Sequence, residues 1–137
     1  MPVRTLDHVN IRTPDVPGTM AFFRDLLGLE ARPAPGADHI DRGCWIYDPA
    51  GHPIIHIGPV DGPYPSDAMQ PFTPTYGSGA VHHVALECDD LPDMLERLAR
   101  SGRPFVRKDY PPASLIQIFV EEANGILLEL NFRMGEQ

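Results

Sequence analysis

An internal repeat constrains this chain more than any other feature of its sequence. Moving the sequence along by 75 positions lays Leu6-Asp7-His8-Val9-Asn10-Ile11 on Val81-His82-His83-Val84-Ala85-Leu86, with His8 on His83, Val9 on Val84 and Ile11 on Leu86. The same shift carries Asp15-Val16-Pro17 onto Asp90-Leu91-Pro92. A repeat of this kind is one supersecondary unit made twice. Each copy predicts a strand, a turn, and a helix opened by Asp and Pro. Proline just inside a helix start loses no needed hydrogen bond, and the Asp before it caps free N–H groups. Apolar residues then recur at helical spacing: Val16, Met20, Phe23 and Leu27 in the first copy, Leu91, Met94, Leu95 and Leu98 in the second. Gly28 and Gly102 stand where C-terminal caps belong.

Three extended segments follow each helix. They are expected near Leu29–Ala34, Arg42–Tyr47 and Pro53–Ile57, and again near Phe105–Tyr110, Leu115–Glu121 and Ile126–Phe132. Asp48-Pro49-Ala50-Gly51 and Glu121-Glu122-Ala123-Asn124-Gly125 supply the turns between them. The predicted fold is α+β: a βαβββ module at 1–58, a linker at 59–79 and a second βαβββ module at 80–137, with curved mixed sheets forming a metal-binding cleft. Gly58–Gly79 carries five prolines and four glycines, which predicts a linker or active-site loop without regular structure. One βαβββ unit leaves a sheet face open to water, and two units facing each other would close it into a cleft.

At 137 residues the chain suits one compact domain or two small modules, and such a length needs no disulfide to fold. Its net charge of −8 and the lack of a basic cluster argue against a nucleic-acid partner. Cys44 and Cys88 are far apart and form no CxxC motif, as expected of apolar residues in a reducing compartment. Arg4 and Asp7 interrupt any apolar run at the N-terminus, and no stretch has the length of a membrane span. A soluble, cytoplasmic protein without a membrane partner is expected.

Strand alternation predicts which residues look into the cleft. Val9 and Ile11 should cover the first helix, leaving His8 on the opposite face. Val84 and Leu86 should cover the second helix, leaving His83 inward. His56 and Glu129 fall on the inward parity of the last strand of each module. Charged and imidazole groups inside apolar strands carry a desolvation cost unless paired or metal-bound, and Glu129, among Ile126, Leu127, Leu128 and Leu130, is the sharpest case. His8, His56, His83 and Glu129 are therefore the candidate ligands of one divalent metal ion, with Fe, Mn, Zn, Ni and Co all suited to such donors. A single His on a strand is more often a structural residue; the joint pattern carries the reading. His82 is expected to face away from His83, and His39 and His52 fall in loops.

Leu6-Asp7-His8-Val9, Phe22-Phe23-Arg24-Asp25-Leu26-Leu27-Gly28-Leu29, Asp48-Pro49-Ala50-Gly51-His52, His82-His83-Val84-Ala85-Leu86 and Gly125-Ile126-Leu127-Leu128-Glu129-Leu130 resemble the vicinal oxygen chelate superfamily. It comprises glyoxalases, bleomycin- and fosfomycin-resistance proteins, methylmalonyl-CoA epimerase and extradiol dioxygenases. The resemblance implies a glyoxalase-like fold, ligands at His8, His56, His83 and Glu129, a small-molecule substrate and a homodimer. Glyoxalase and epimerase members commonly place Glu or Gln where His56 stands. Three neutral imidazoles and one carboxylate leave a divalent ion with a net positive charge, a stronger Lewis acid than a two-His, two-Glu set.

Three activities fit that resemblance. A lyase or isomerase would chelate a substrate through vicinal oxygens and stabilise an enolate-like intermediate, with Glu129 moving the proton. An extradiol-type dioxygenase would hold Fe(II) with His8, His83 and Glu129 alone, leaving His56 as an acid or base assisted by Tyr110. A metal-free, ligand-sequestering protein would lack the ligand set that this chain retains. Arg12, Arg103, Arg107 and Lys108 are the only modest candidates for binding carboxylates of a glutathione-like substrate. Ile54, Trp45, Tyr110, Gln117 and the segment around Tyr64 and Tyr76 are expected to wall the cleft.

Overall fold

The computed structural model describes residues 2–73 and 75–134 and divides the chain into two units, residues 1–74 and 75–137. The first unit runs β1 (Val9–Thr13), α1 (Val16–Ala21), β2 (Glu30–Pro33), β3 (Cys44–Tyr47) and β4 (Pro53–Pro59). The second runs β5 (His83–Cys88), α2 (Leu91–Ser101), β6 (Phe105–Tyr110), β7 (Leu115–Glu121) and β8 (Leu127–Arg133). Sheet order is β1-β4-β3-β2 in the first and β5-β8-β7-β6 in the second, so the duplication extends to topology. In each sheet the first and last strands pair in parallel and the other neighbours are antiparallel. Two open, mixed βαβββ sheets match the units that the repeat predicts and the glyoxalase-like fold that the resemblance implies.

Both helices start as anticipated. Asp15 accepts from the Gly18 amide and Asp90 from the Asp93 amide, with Pro17 and Pro92 in the first turns. The first helix then departs from the simple periodicity. After Ala21 it widens into a π-helical turn over Phe22–Leu26, where the Leu27 amide donates five residues back to the Phe22 carbonyl at 3.3 Å. The wider turn shifts the inward stripe, so Leu26 is buried and Leu27 is only half-buried. Gly28 and Gly102 end the helices at φ +74 and +68, a left-handed conformation that glycine adopts without steric cost.

The core of the first unit joins Val16, Met20, Phe22, Phe23 and Leu26 to the sheet residues Ile11, Cys44, Ile46, Ile55 and Ile57. That of the second joins Leu91, Met94 and Leu98 to Ile116, Ile118, Val120, Leu128, Leu130 and Phe132. Ile11, Ile55, Ile57, Leu128 and Leu130 have the predicted parity. The segment expected to be irregular holds more order than its prolines suggest. Its first two residues extend β4, and Pro65–Ala68 forms a 3-10 turn, the short structure that proline at a first position permits.

Candidate functional site

Side chains on the sheet face opposite each helix define the candidate site, and they fall into two groups, one in each unit. In the first, cross-strand register puts Asn10, His56 and Trp45 in one row. His56 is sandwiched there. Trp45 stacks on one side, with ring centroids 3.9 Å apart and planes 7° apart. His8 stacks on the other at 3.7 Å and 12°. His8 lies one residue before β1, and its Nδ1 meets Asp7 Oδ2 at 2.6 Å. That hydrogen bond holds the Asp7 carboxyl below its usual range. His56 Nε2 is buried without a hydrogen-bond partner among the described residues. Burial, with a smaller push from His8, lowers the pKa of His56, so its imidazole stays neutral. His56 shares the face of Asn10.

In the second unit, Ala85 and Glu129 are register partners, as are His83 and Leu127, which puts His83 and Glu129 on adjacent strands of one face. His83 Nε2 lies 3.8 Å from Glu129 Oε1, and the Glu129 side chain is 14% exposed. The second carboxylate oxygen is held separately. Asn131 Nδ2 donates to Glu129 Oε2 at 3.0 Å, and Gln117 Nε2 donates to Asn131 Oδ1 at 3.3 Å. This Gln117–Asn131–Glu129 chain fixes the carboxylate plane, as outer partners of a ligating group do. Alternation places Asn131 on the face of Glu129, but its role as the carboxylate's anchor emerges only from the side-chain geometry.

The donor chemistry fits a divalent ion. Two atoms each roughly 2.1 Å from one metal are at most about 4.2 Å apart, and the His83–Glu129 separation lies inside that limit. In the first unit, His56 has an imidazole nitrogen whose burial leaves it in need of a partner. His8 and His56 are otherwise disposed: nitrogen lone pairs lie in the ring plane, so parallel stacked rings do not converge on a point between them. Among the described residues no group of three or more His, Cys, Asp or Glu side chains is gathered as a metal cage. The four expected ligands are present as two pairs, His8 with His56 and His83 with Glu129.

Tyr110 is at the end of the edge strand β6, on the face of Glu129 but far from it. Val106 is opposite Phe119, which is opposite Glu129, and Tyr110 stands four residues beyond Val106. Sheet spacings put its Cα roughly 16 Å from that of Glu129. His82 does not turn away from His83 as alternation suggests; their Nδ1 atoms are 3.0 Å apart. The reason is that β5 begins only at His83, so His82 is free of the strand's alternation. His39 accepts from the Asp41 amide in a loop, and His52 lies in a turn 3.7 Å from Asp48.

Three of the four basic candidates have partners of their own. Arg12 Nη1 pairs with Asp67 Oδ1 at 2.6 Å, its Nη2 donates to Ser66 Oγ, and its guanidinium lies 3.8 Å from the Tyr64 ring centroid. Arg107 is paired with Asp109, and Arg103 donates to the Glu121 carbonyl. A sequence reading has no means of finding the Arg12 contact, since its partners lie more than fifty residues away.

Comparison with known proteins agrees with this fold. Residues 5–130 match the Glyoxalase/Bleomycin resistance protein/Dioxygenase superfamily. An ethylmalonyl-CoA/methylmalonyl-CoA epimerase of Cereibacter sphaeroides is 26% identical over 136 residues, covering 91% of this chain and 95% of its own. A glyoxalase/dioxygenase from Nostoc punctiforme superposes with a TM-score of 0.70 at 13% identity, covering 96% of this chain and 92% of its own. The lactoylglutathione lyase of Agrobacterium tumefaciens gives 0.65 at 16% identity, covering 99% and 98%. At these identities the two solved structures speak for the fold.

Proposed function

Since the chain belongs to the Glyoxalase/Bleomycin resistance protein/Dioxygenase superfamily, we propose that it is a divalent-metal lyase or isomerase with His8, His56, His83 and Glu129 as donors. The orphaned Nε2 of His56 carries the reading. A buried polar group without a partner costs about 1–3 kcal/mol, and bonding to a cation offsets that cost. The ion would polarise a substrate carbonyl and acidify the neighbouring C–H bond. The chain's residues do the rest. Asn131 holds Glu129 by Oε2, and Oε1, on the His83 side, would loosen from the ion to take a proton from carbon and return it. Return to the neighbouring carbon would complete an isomerisation, whereas inversion at the same carbon, the reaction type named for the epimerase relative, would need a second acid on the opposite face. Neutral His56 keeps a lone pair available as a donor. A small molecule with vicinal oxygens is the substrate class, and a homodimer is the expected assembly.

The stacking of His8 on His56 supports a second reading. If only one ring of that stack reached the ion, His8, His83 and Glu129 would form a two-His, one-carboxylate triad suited to Fe(II) and dioxygen. Metal analysis of variants separates the readings. Wild type is expected to hold one equivalent per chain. His83→Ala should lose it with circular dichroism unchanged; full metal content in that variant would refute the donor assignment. His56→Ala should lower affinity at least tenfold in the first reading and leave it unchanged in the second.

A further inference from the structure

The second unit contains a cavity of about 460 Å³ that neither proposed reaction uses. Phe105, Val106, Phe119 and Leu127 form its apolar wall. Its place in the sheet is specific. Phe119 is the cross-strand partner of Glu129, and Leu127 is the partner of His83. Adjacent strands lie about 4.8 Å apart, so the cavity begins one strand spacing from both donors.

Polar groups at its rim are already engaged. Tyr76 donates its hydroxyl to Glu121 Oε1 at 2.6 Å, and Arg103 donates to the Glu121 carbonyl. The buried Glu122 carboxylate accepts from the Asn124 and Ile126 amides and so serves the turn between β7 and β8. A carboxylate or phosphate entering here would have to displace these bonds, whereas an apolar group meets an apolar wall. Val106, on the face of Phe119 and Glu129, is 63% exposed, an unusual exposure for an apolar strand residue.

We infer that this cavity receives an uncharged apolar substituent, a phenyl group or larger, on a molecule whose paired oxygens would chelate an ion held by His83 and Glu129. The inference rests on the assignment of those two residues as donors. It restricts the substrate class to chelating molecules with a neutral apolar arm, and places the arm's specificity on Phe119 and Val106.

Hydroxamates chelate through vicinal oxygens and vary in one substituent, which makes them suitable probes. Calorimetry with the Co(II)-loaded protein should show benzohydroxamate binding at least tenfold more tightly than acetohydroxamate. Val106→Glu, at an exposed site that tolerates the change, should abolish that preference while leaving acetohydroxamate affinity as in wild type. Phe119→Ala should reduce it in part. Benzyl alcohol, which cannot chelate, tests the cavity without the donors: amide resonances of Val106 and Phe119 should shift in wild type and stay fixed in Val106→Glu. Equal affinity for the two hydroxamates, or no response to benzyl alcohol, would overturn the inference. If benzyl alcohol shifts those resonances but neither hydroxamate binds, the cavity stands and the donor assignment falls.

Discussion

Trp45 is the only tryptophan of the chain, and it stacks on a proposed ligand. At van der Waals contact a paramagnetic ion on His56 should quench indole emission efficiently. Titrating the metal-free protein with Co(II) is therefore expected to quench Trp45 with an end point of one equivalent. In His56→Ala the quenching should be largely lost. Emission that stays constant while a full equivalent binds would place His56 off the ion, in agreement with the triad reading. Asn131 offers a second residue-level test. It anchors Glu129 Oε2 and touches no other proposed donor by hydrogen bond among the described contacts. Asn131→Ala should weaken metal binding roughly 10–100-fold, the range typical of groups that orient a ligand, with little change in the unfolding midpoint. Metal affinity equal to wild type would show that the carboxylate needs no anchor.

Among the elements, the segment after β4 depends most on a single side chain. Arg12, whose side chain is 10% exposed, ties the segment down through Asp67, Ser66 and the Tyr64 ring. Tyr64 donates its hydroxyl to the Pro59 carbonyl and lies so close to Gly58 that a Cβ there would strike it. Arg12→Ala should expose residues 59–73 to limited proteolysis at a rate well above wild type. Arg12→Lys should not restore protection, because an ammonium cannot present a planar fork to Asp67 and Ser66 while lying over the ring. Cleavage at the wild-type rate in both variants would show that the segment is held by something else. The contact also has a pH dependence of definite sign. The hydrogen bond from Arg12 holds the Asp67 carboxyl below its ordinary value, so the tether is complete above that value and is lost as pH falls through the lowered one. Proteolysis of the segment should therefore accelerate in acid, below about pH 4.

For the molecule as a whole, the two thiols set an alkaline limit. Burial raises Cys44 to about 11 and Cys88 to about 11. In the unfolded chain a thiol ionises near pH 8.5, so between that value and 11 the unfolded state binds fewer protons and stability falls as pH rises. The loss should be on the order of 2 kcal/mol per thiol by pH 11. Denaturant midpoints measured from pH 8 to 11 should decline in wild type and decline less in Cys88→Ala. Native protein at neutral pH should react with a thiol reagent only after unfolding, at least at the fully buried Cys44. Rapid labelling of Cys44 in the folded state would contradict its burial.

Much of this architecture was legible because strand alternation and helix capping are local properties of the backbone. The repeat predicts both βαβββ units, and seven residues of β7 and six of β6 fall on their anticipated bounds. His56 and Glu129 lie on the anticipated face because a side chain inside a strand has only two directions available. Where a strand had not begun, the rule lost its hold, as His82 beside His83 shows.

The amino-acid order alone thus determined the duplicated unit, its helix boundaries and the faces of the strand-borne donors, since each depends on neighbours a few bonds away. Tertiary structure alone decided that His56 lies between Trp45 and His8, that Asn131 and Gln117 hold Glu129, and that Arg12 is spent on a distant turn. Those partners are chosen by strand order and by chain segments that return from far along the sequence, and no local periodicity encodes them.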